Sequence, residues 1–166
     1  IENITADNAR LVSNLHANLG GLYRMNGYPD LAREHMEKSI SLLDQFNLLH
    51  INDSIPQIAN YAMFLTEQQE PERGISELQK LSGIIKEYHS DDCLDYAKVQ
   101  ETLGTIYLMT ANLPQAKTHF KRAFKIYEKI WADEPEMIEA KYQEIQELYP
   151  QIGFCIGKNL SGLLTK

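Results

Sequence analysis

The sequence predicts an all-α fold made of copies of one helical hairpin. The pattern Leu-Gly-x-x-Tyr occurs at residues 19–23 and again at residues 103–107, which lie 84 positions further along the chain. A related pattern, Tyr-Ala-x-x-Leu at residues 61–65, stands midway, so the repeat length is 42 residues. Apolar and small residues around each pattern recur at intervals of three and four, the spacing of an amphipathic helix.

The helices follow in order along the chain. We expect hairpins at about residues 5–46, 53–89 and 92–131, and half a hairpin at 135–149. Thr5 is a suitable N-cap for the first helix. Pro29, Pro71 and Pro114 stand where second helices of the hairpins begin, since proline is tolerated in a first turn. Pro150 ends the seventh helix. Polar residues 52–54 and 90–92 are expected to cap the third and fifth helices.

Small residues occur at the expected helix crossings. Gly20, Ala62 and Gly104 are each 42 residues apart and would let two helices approach closely. Gly74 lies inside the fourth helix, where glycine costs roughly 1 kcal/mol relative to alanine. We interpret Gly74 as a second position of close helix approach.

The hairpin resembles a known repeat. Leu-Gly-x-x-Tyr followed by Ala-x-x-x-Phe within residues 97–129 resembles the tetratricopeptide hairpin. The 42-residue period and the segment KIYEKIWADEPE at residues 125–136 resemble the kinesin-light-chain-like subclass. This resemblance covers residues 14–149 and implies a right-handed superhelical array of antiparallel helix pairs, an α-solenoid of about 3.5 repeats.

The resemblance also implies a partner-binding surface, because the first helix of each pair lines the concave face of such arrays. The residues it places there include Asn14, Asn18, Arg24, Met25, Asn60, Met63, Glu67, Lys98, Glu101, Thr105 and Leu108. Peptide-binding members hold a peptide backbone with asparagine amides, which donate and accept hydrogen bonds together. Asn18 and Asn60 match that role, and the alternative is that both are polar residues on a solvated helix face. The later equivalent positions are Thr102 and Glu144, so a long bound peptide is not expected.

Charge narrows the class of partner. The chain has a net charge of −7 and no block of lysine and arginine, which argues against nucleic acid and anionic membranes. No apolar run reaches the ~18–20 residues of a membrane span. Kinesin light chains read acidic motifs with a basic groove. Here Arg24 and Lys98 are balanced by Glu67 and Glu101, which does not favour an acidic ligand.

Catalytic and metal-binding signals are weak in this sequence. The five histidines lack metal-ligand spacing, and His35 and His119 are 84 residues apart, which predicts two similar environments rather than one site. Cys93 adjoins two aspartates that oppose thiolate formation, and Cys155 lies in an apolar tail. We therefore expect no enzyme activity, no cofactor and no metal.

Two further expectations concern the setting of the chain. Two cysteines in 166 residues fit a reducing compartment, so we expect a cytoplasmic protein. The chain begins with Ile1, which suggests a fragment or a processed form. Residues 150–166 depart from the repeat and are interpreted as a cap, a linker to a further repeat or a surface for self-association.

Three functions remain open after this reading. The leading hypothesis is a protein–protein interaction module that binds a peptide or partner segment on its concave face. The alternatives are a peptide-sensing regulatory domain of a larger protein and an oligomerisation scaffold that uses the apolar tail.

Overall fold

The computed structural model describes residues 4–148, which contain seven α-helices and no strand. The helices are α1 Ala6–Met25, α2 Pro29–Gln45, α3 Ser54–Glu67, α4 Pro71–Tyr88, α5 Leu94–Met109, α6 Leu113–Ile130 and α7 Pro135–Leu148. These bounds lie within about two residues of those that the sequence predicts. The all-α class is confirmed. The predicted tail at 150–166 lies outside the described residues.

Local chemistry explains where the helices begin. Thr5 is the extended N-cap of α1, and its N–H donates to Asn8 Oδ1 at 2.8 Å. Asn112 Oδ1 accepts from the Gln115 N–H at the start of α6. The expected cap of α5 within residues 90–92 is wrong by one residue. Cys93 is the N-cap, and its Sγ accepts from the Tyr96 N–H at 3.4 Å.

The turn inside each hairpin repeats with the 42-residue period. Gly27, Gln69 and Ala111 have φ angles of 78°, 65° and 59°, in the left-handed region. The residue after each donates its N–H back to the last turn of the preceding helix, at 2.8–2.9 Å. This is the Schellman arrangement that ends many helices. Only the first turn uses glycine, so two L-residues hold a conformation that costs each about 1–2 kcal/mol.

The small residues mark close helix crossings, as predicted. A Cβ atom at Gly74 would lie 2.6 Å from the carbonyl oxygen of Ala62. At Gly104 it would lie 2.9 Å from the ring of Phe120, and at Gly20 it would lie 2.6 Å from Met36 Cγ. Helices α1 and α2, α3 and α4, and α5 and α6 therefore pack as tight antiparallel pairs.

The chain divides into two compact units, residues 1–88 and 89–166. The first unit holds α1–α4, and its core is built from Ala32, Met36, Tyr61, Phe64 and Leu65. The described part of the second unit holds α5–α7 around buried aromatic and aliphatic side chains of α6. Over the described residues, no helix is both long and apolar enough to cross a membrane.

Candidate functional site

A groove between α1 and α3 in the first unit contains three of the predicted partner-binding residues, Arg24, Met25 and Asn60. We call it the α1–α3 groove. Its volume is about 230 Å³, and it is lined by Ala17, Gly21, Arg24, Met25, Met36, Ser39, Gln57 and Asn60. Helices α1 and α3 supply its walls, and α2 supplies Met36 and Ser39 from below. The Met25 side chain is 86% exposed, whereas Met36 is buried.

Of the two predicted asparagines, only Asn60 lines the α1–α3 groove. Asn60 is exposed there. Asn18 is also exposed but is not among the groove residues. Met63 of α3 is half-buried and does not line the groove either. The pair of asparagines therefore does not form a matched ladder within this groove.

An ion pair links α1 to α3 beside the groove. Arg24 Nε donates to Glu67 Oε2 at 2.8 Å, and its Nη2 donates to the other carboxylate oxygen. Both side chains are about one-third exposed. This two-point contact neutralises the two charges that the sequence placed on this face, so the groove has little net electrostatic preference.

A chain of hydrogen-bonded polar side chains runs from the groove to the surface, and the sequence analysis missed it. Its members, here called the polar chain, are Ser13, Ser39, Gln57, Asn14, Asp53 and Arg10. The Oγ atoms of Ser13 and Ser39 lie 2.8 and 2.5 Å from Gln57 Oε1. Gln57 Nε2 donates to Asn14 Oδ1 at 2.5 Å.

The polar chain continues to the surface through charged groups. Asn14 Nδ2 donates to Asp53 Oδ2 at 3.2 Å, and Arg10 Nε donates to the same oxygen at 2.6 Å. The hydrogen bond from Arg10, followed by that from Asn14, lowers the pKa of the Asp53 carboxyl. Asn14, predicted to contact a partner, is thus engaged in holding α1 against α3. The available signal was Ser13, a polar residue on the buried face of α1.

The second unit has a cleft of its own, with a volume of about 270 Å³, between α5, α6 and α7. Lys98 lines this cleft, whereas the predicted Thr105 and Leu108 are half-buried elsewhere on α5. Glu101 accepts from the Tyr127 hydroxyl at 2.6 Å and pairs with Lys141 Nζ at 3.0 Å.

These contacts engage Glu101 inside the second unit. Burial, followed by the charge of Glu101, raises the pKa of the Tyr127 hydroxyl. Burial opposes the charge of Lys141, but attraction to Glu101 and Glu144 outweighs it and raises the pKa of that ammonium. Glu101 therefore joins α5 to both following helices.

The two equivalent histidines have matching surroundings, as predicted. His35 stacks on Tyr23 and His119 stacks on Tyr107, each with ring centroids 5.3 Å apart. His35 Nδ1 lies 2.7 Å from His16 Nδ1, and His119 Nδ1 lies 2.9 Å from Gln100 Oε1. Within the described range, no group of three or more histidine, cysteine, aspartate or glutamate side chains is arranged to hold a metal ion.

Comparison with known proteins identifies the repeat. The family model for the tetratricopeptide repeat matches residues 54–129. The chain carries that repeat in this segment. Its fold is similar to the crystal structure of BtubC (BKLC) from P. vanneervenii, with a TM-score of 0.72 and 18% sequence identity. The similarity covers 92% of this chain and 60% of that one. No curated protein matches the sequence. Tetratricopeptide repeats generally mediate protein–protein interaction, and this chain has that repeat.

Proposed function

We propose that this tetratricopeptide chain is a non-enzymatic interaction module whose α1–α3 groove binds a short peptide segment of a partner protein. The observation that carries the proposal is a convergence of residues. Arg24, Met25 and Asn60, chosen from the sequence as partner-binding residues, all line this groove. They come from two helices that belong to different hairpins.

Gly21 supports a close approach of the partner to α1. A Cβ atom at Gly21 would meet no atom within 4 Å, in contrast to its neighbour Gly20. Glycine inside a helix costs roughly 1 kcal/mol relative to alanine, and packing within the unit does not require it at this position. A peptide backbone that lies against α1 at Gly21 would account for the glycine.

The groove chemistry indicates an uncharged segment with one or two apolar side chains. Arg24 and Glu67 neutralise each other, and the exposed Met25 offers flexible apolar surface that adapts to different side chains. A volume of about 230 Å³ lies below the ~300–1,000 Å³ range of pockets for small organic ligands. Asn60 stands at the rim, where its amide can donate to and accept from one peptide bond.

A cytoplasmic location fits this role. The thiol of Cys93 is free, and the chain has only two cysteines, a composition that suits a reducing compartment. We propose that the module works there as a binding unit without a cofactor.

A peptide-display selection tests the proposal. Random 12-residue peptides would be selected on the intact chain, and the winners titrated by fluorescence anisotropy. Asn60→Ala should weaken binding by roughly tenfold, since a hydrogen bond to a buried peptide group is lost. Gly21→Leu should abolish binding because its side chain would enter the groove.

Asn18→Ala is the matched control, since Asn18 is an exposed asparagine outside the groove. It should leave affinity unchanged. Equal loss in Asn18→Ala and Asn60→Ala, or full binding by a folded Gly21→Leu variant, would refute this assignment of the site.

A further inference from the structure

A second and larger groove in the first unit lies between α2 and α4. We call it the α2–α4 groove. Its volume is about 860 Å³, and apolar side chains form its floor: Ile40, Leu49, Ile58, Tyr61, Leu81 and Ile84. Ile58, Tyr61 and Leu81 are buried, whereas the other three are half-buried and available for contact. None of the predicted partner-binding residues lines it.

We propose that the α2–α4 groove is a second docking surface, which binds an amphipathic helix of a partner protein that carries basic residues beside its apolar face. This surface is separate from the α1–α3 groove, and it takes a ligand of different chemistry.

The shape of the groove favours a helix as its occupant. Its α4 wall extends from Arg73 to Glu87, a length of roughly 20 Å at 1.5 Å per helical residue. Two helices with an apolar floor between them match the helix-in-groove mode of recognition. The described part of the first unit contains no strand whose edge could pair with an extended peptide. Tyr61 is the single aromatic residue of the lining, whereas polyproline ligands require aromatic-lined grooves.

The charges along the groove are balanced at one end. Glu37 pairs with Arg73 at 3.2 Å and accepts from the Tyr61 hydroxyl at 2.7 Å. Further along, Glu77 pairs with Lys80 at 3.2 Å. These contacts satisfy the acidic residues nearest the beginning of α4.

The other end of the groove carries unbalanced negative charge. Asp44 and Glu87 line it from the last turns of α2 and α4, and neither makes an ion pair among the described residues. A carboxylate in the last turn of a helix is disfavoured by the partial negative charge of the helix end. Helix α2 has no basic residue in its last turn, and Lys86 of α4 is not part of the groove lining. Lysine or arginine on a bound helix would neutralise both carboxylates.

Gly83 is a second observation that points to a close partner. It lines the groove from inside α4, and a Cβ atom there would meet nothing within 4 Å. The equivalent positions one repeat away are Ser41 and Lys125, so the repeat pattern itself does not demand glycine. A small residue on an open groove wall allows another helix to approach its backbone.

Two synthetic peptides of 15 residues test the proposal with the full chain. Both carry leucine on one helical face. One has lysine beside that face, and the other has glutamate at the same positions. The lysine peptide should bind more tightly in a fluorescence anisotropy titration at low salt. Asp44→Asn/Glu87→Gln should reduce its affinity by roughly 3- to 30-fold, the range for losing two exposed ion pairs.

Blocking variants separate this groove from the other one. Gly83→Leu should prevent binding of the lysine peptide while circular dichroism shows an intact fold, because the new side chain enters open space. Gly21→Leu, its control in the α1–α3 groove, should bind the lysine peptide normally. Equal binding of both peptides, or unchanged affinity in Asp44→Asn/Glu87→Gln, would overturn the proposal. A light-scattering mass showing that Gly83→Leu disrupts a dimer of the parent chain would also overturn it in favour of a second copy as occupant.

Discussion

The first hairpin, α1–α2, and the third hairpin, α5–α6, are the same structure with one important exchange. Each has a tyrosine on its first helix stacked on a histidine of its second, with interplanar angles of 17° and 16°. The residue that meets the histidine Nδ1 is His16 in the first hairpin and Gln100 in the third. These residues are also 84 positions apart.

This exchange shows that the repeat determines where the rings lie, whereas single residues determine how the histidine is hydrogen-bonded. The period fixes where the rings lie, because helix packing allows one geometry at the crossing. The hydrogen bonding depends on the residue at position 16 or 100. Gln100 Oε1 can only accept, so His119 Nδ1 must carry a proton. Between His16 and His35 one nitrogen donates and the other accepts, which leaves two tautomer arrangements open.

The strongest test of the equivalence places leucine at the two crossing glycines. Gly20→Leu and Gly104→Leu should each lower the free energy of unfolding by about 1–3 kcal/mol, because a Cβ atom already meets Met36 or Phe120 at less than 3 Å. Urea denaturation measures the loss. Gly21→Leu is the matched control, with open space at its Cβ position, and should lose no stability. An unchanged free energy of unfolding in either Gly20→Leu or Gly104→Leu would show that the two crossings are not equivalent.

Replacing the acceptor in the third hairpin tests the exchange directly. Gln100→Leu should destabilise the chain by about 1–2 kcal/mol, because the half-buried His119 N–H then lacks its partner. Gln100→His imitates the first hairpin and should cost less. Thermal unfolding gives the comparison. Equal losses for both variants would show that volume rather than hydrogen bonding governs position 100.

Substitutions in the turns should change the free energy of unfolding by smaller amounts, and in opposite directions in the two hairpins. Ala111→Gly should raise the free energy of unfolding by about 0.5–1 kcal/mol, since glycine accepts a positive φ without strain. Gly27→Ala should lower it by about 1 kcal/mol at the equivalent turn. Chemical denaturation measures both variants. Effects of the same sign would mean that the left-handed turns do not behave alike.

The smallest expected effect is a dependence on pH from the third hairpin. Burial, followed by the charge of Arg122, lowers the pKa of His119 below its usual value near 6.5. The unfolded chain therefore binds more protons between the two pKa values. The contribution of His119 to stability is complete above about pH 6.5 and declines as the pH falls below it.

A titration of the His119 ring signal by NMR measures this shift. Its midpoint should lie below pH 6.5 in the parent chain and move upward in Arg122→Gln, which removes one cause of the lowering. A midpoint that stays in place in Arg122→Gln would show that Arg122 does not act on His119.

Sequence periodicity predicts much of this fold. It gives the 42-residue repeat, the seven helices and the crossing residues, because all three depend on spacing along one chain. The resemblance to the tetratricopeptide repeat, rather than the periodicity, suggested Arg24, Met25 and Asn60, which line the α1–α3 groove. Periodicity does not reveal the α2–α4 groove, whose width depends on how far two second helices diverge. Gly83 was the available signal, as a glycine without an equivalent in the other repeats.

The polar chain was missed for a different reason. Its hydrogen bonds join side chains up to 44 residues apart, and no local pattern encodes that pairing. A serine at position 13 or 39 reads as a small helix residue until Gln57 is known to face it.

The polar chain has a consequence for how the first two hairpins find each other during folding. Copies of one motif have similar apolar faces. One hairpin could therefore dock on the next with a shift of one helical turn and lose little apolar contact. Such a slip would leave the amide of Gln57 enclosed with nothing to bond, a penalty of about 1–3 kcal/mol. The polar chain therefore favours one alignment of the two hairpins over alignments shifted by a helical turn.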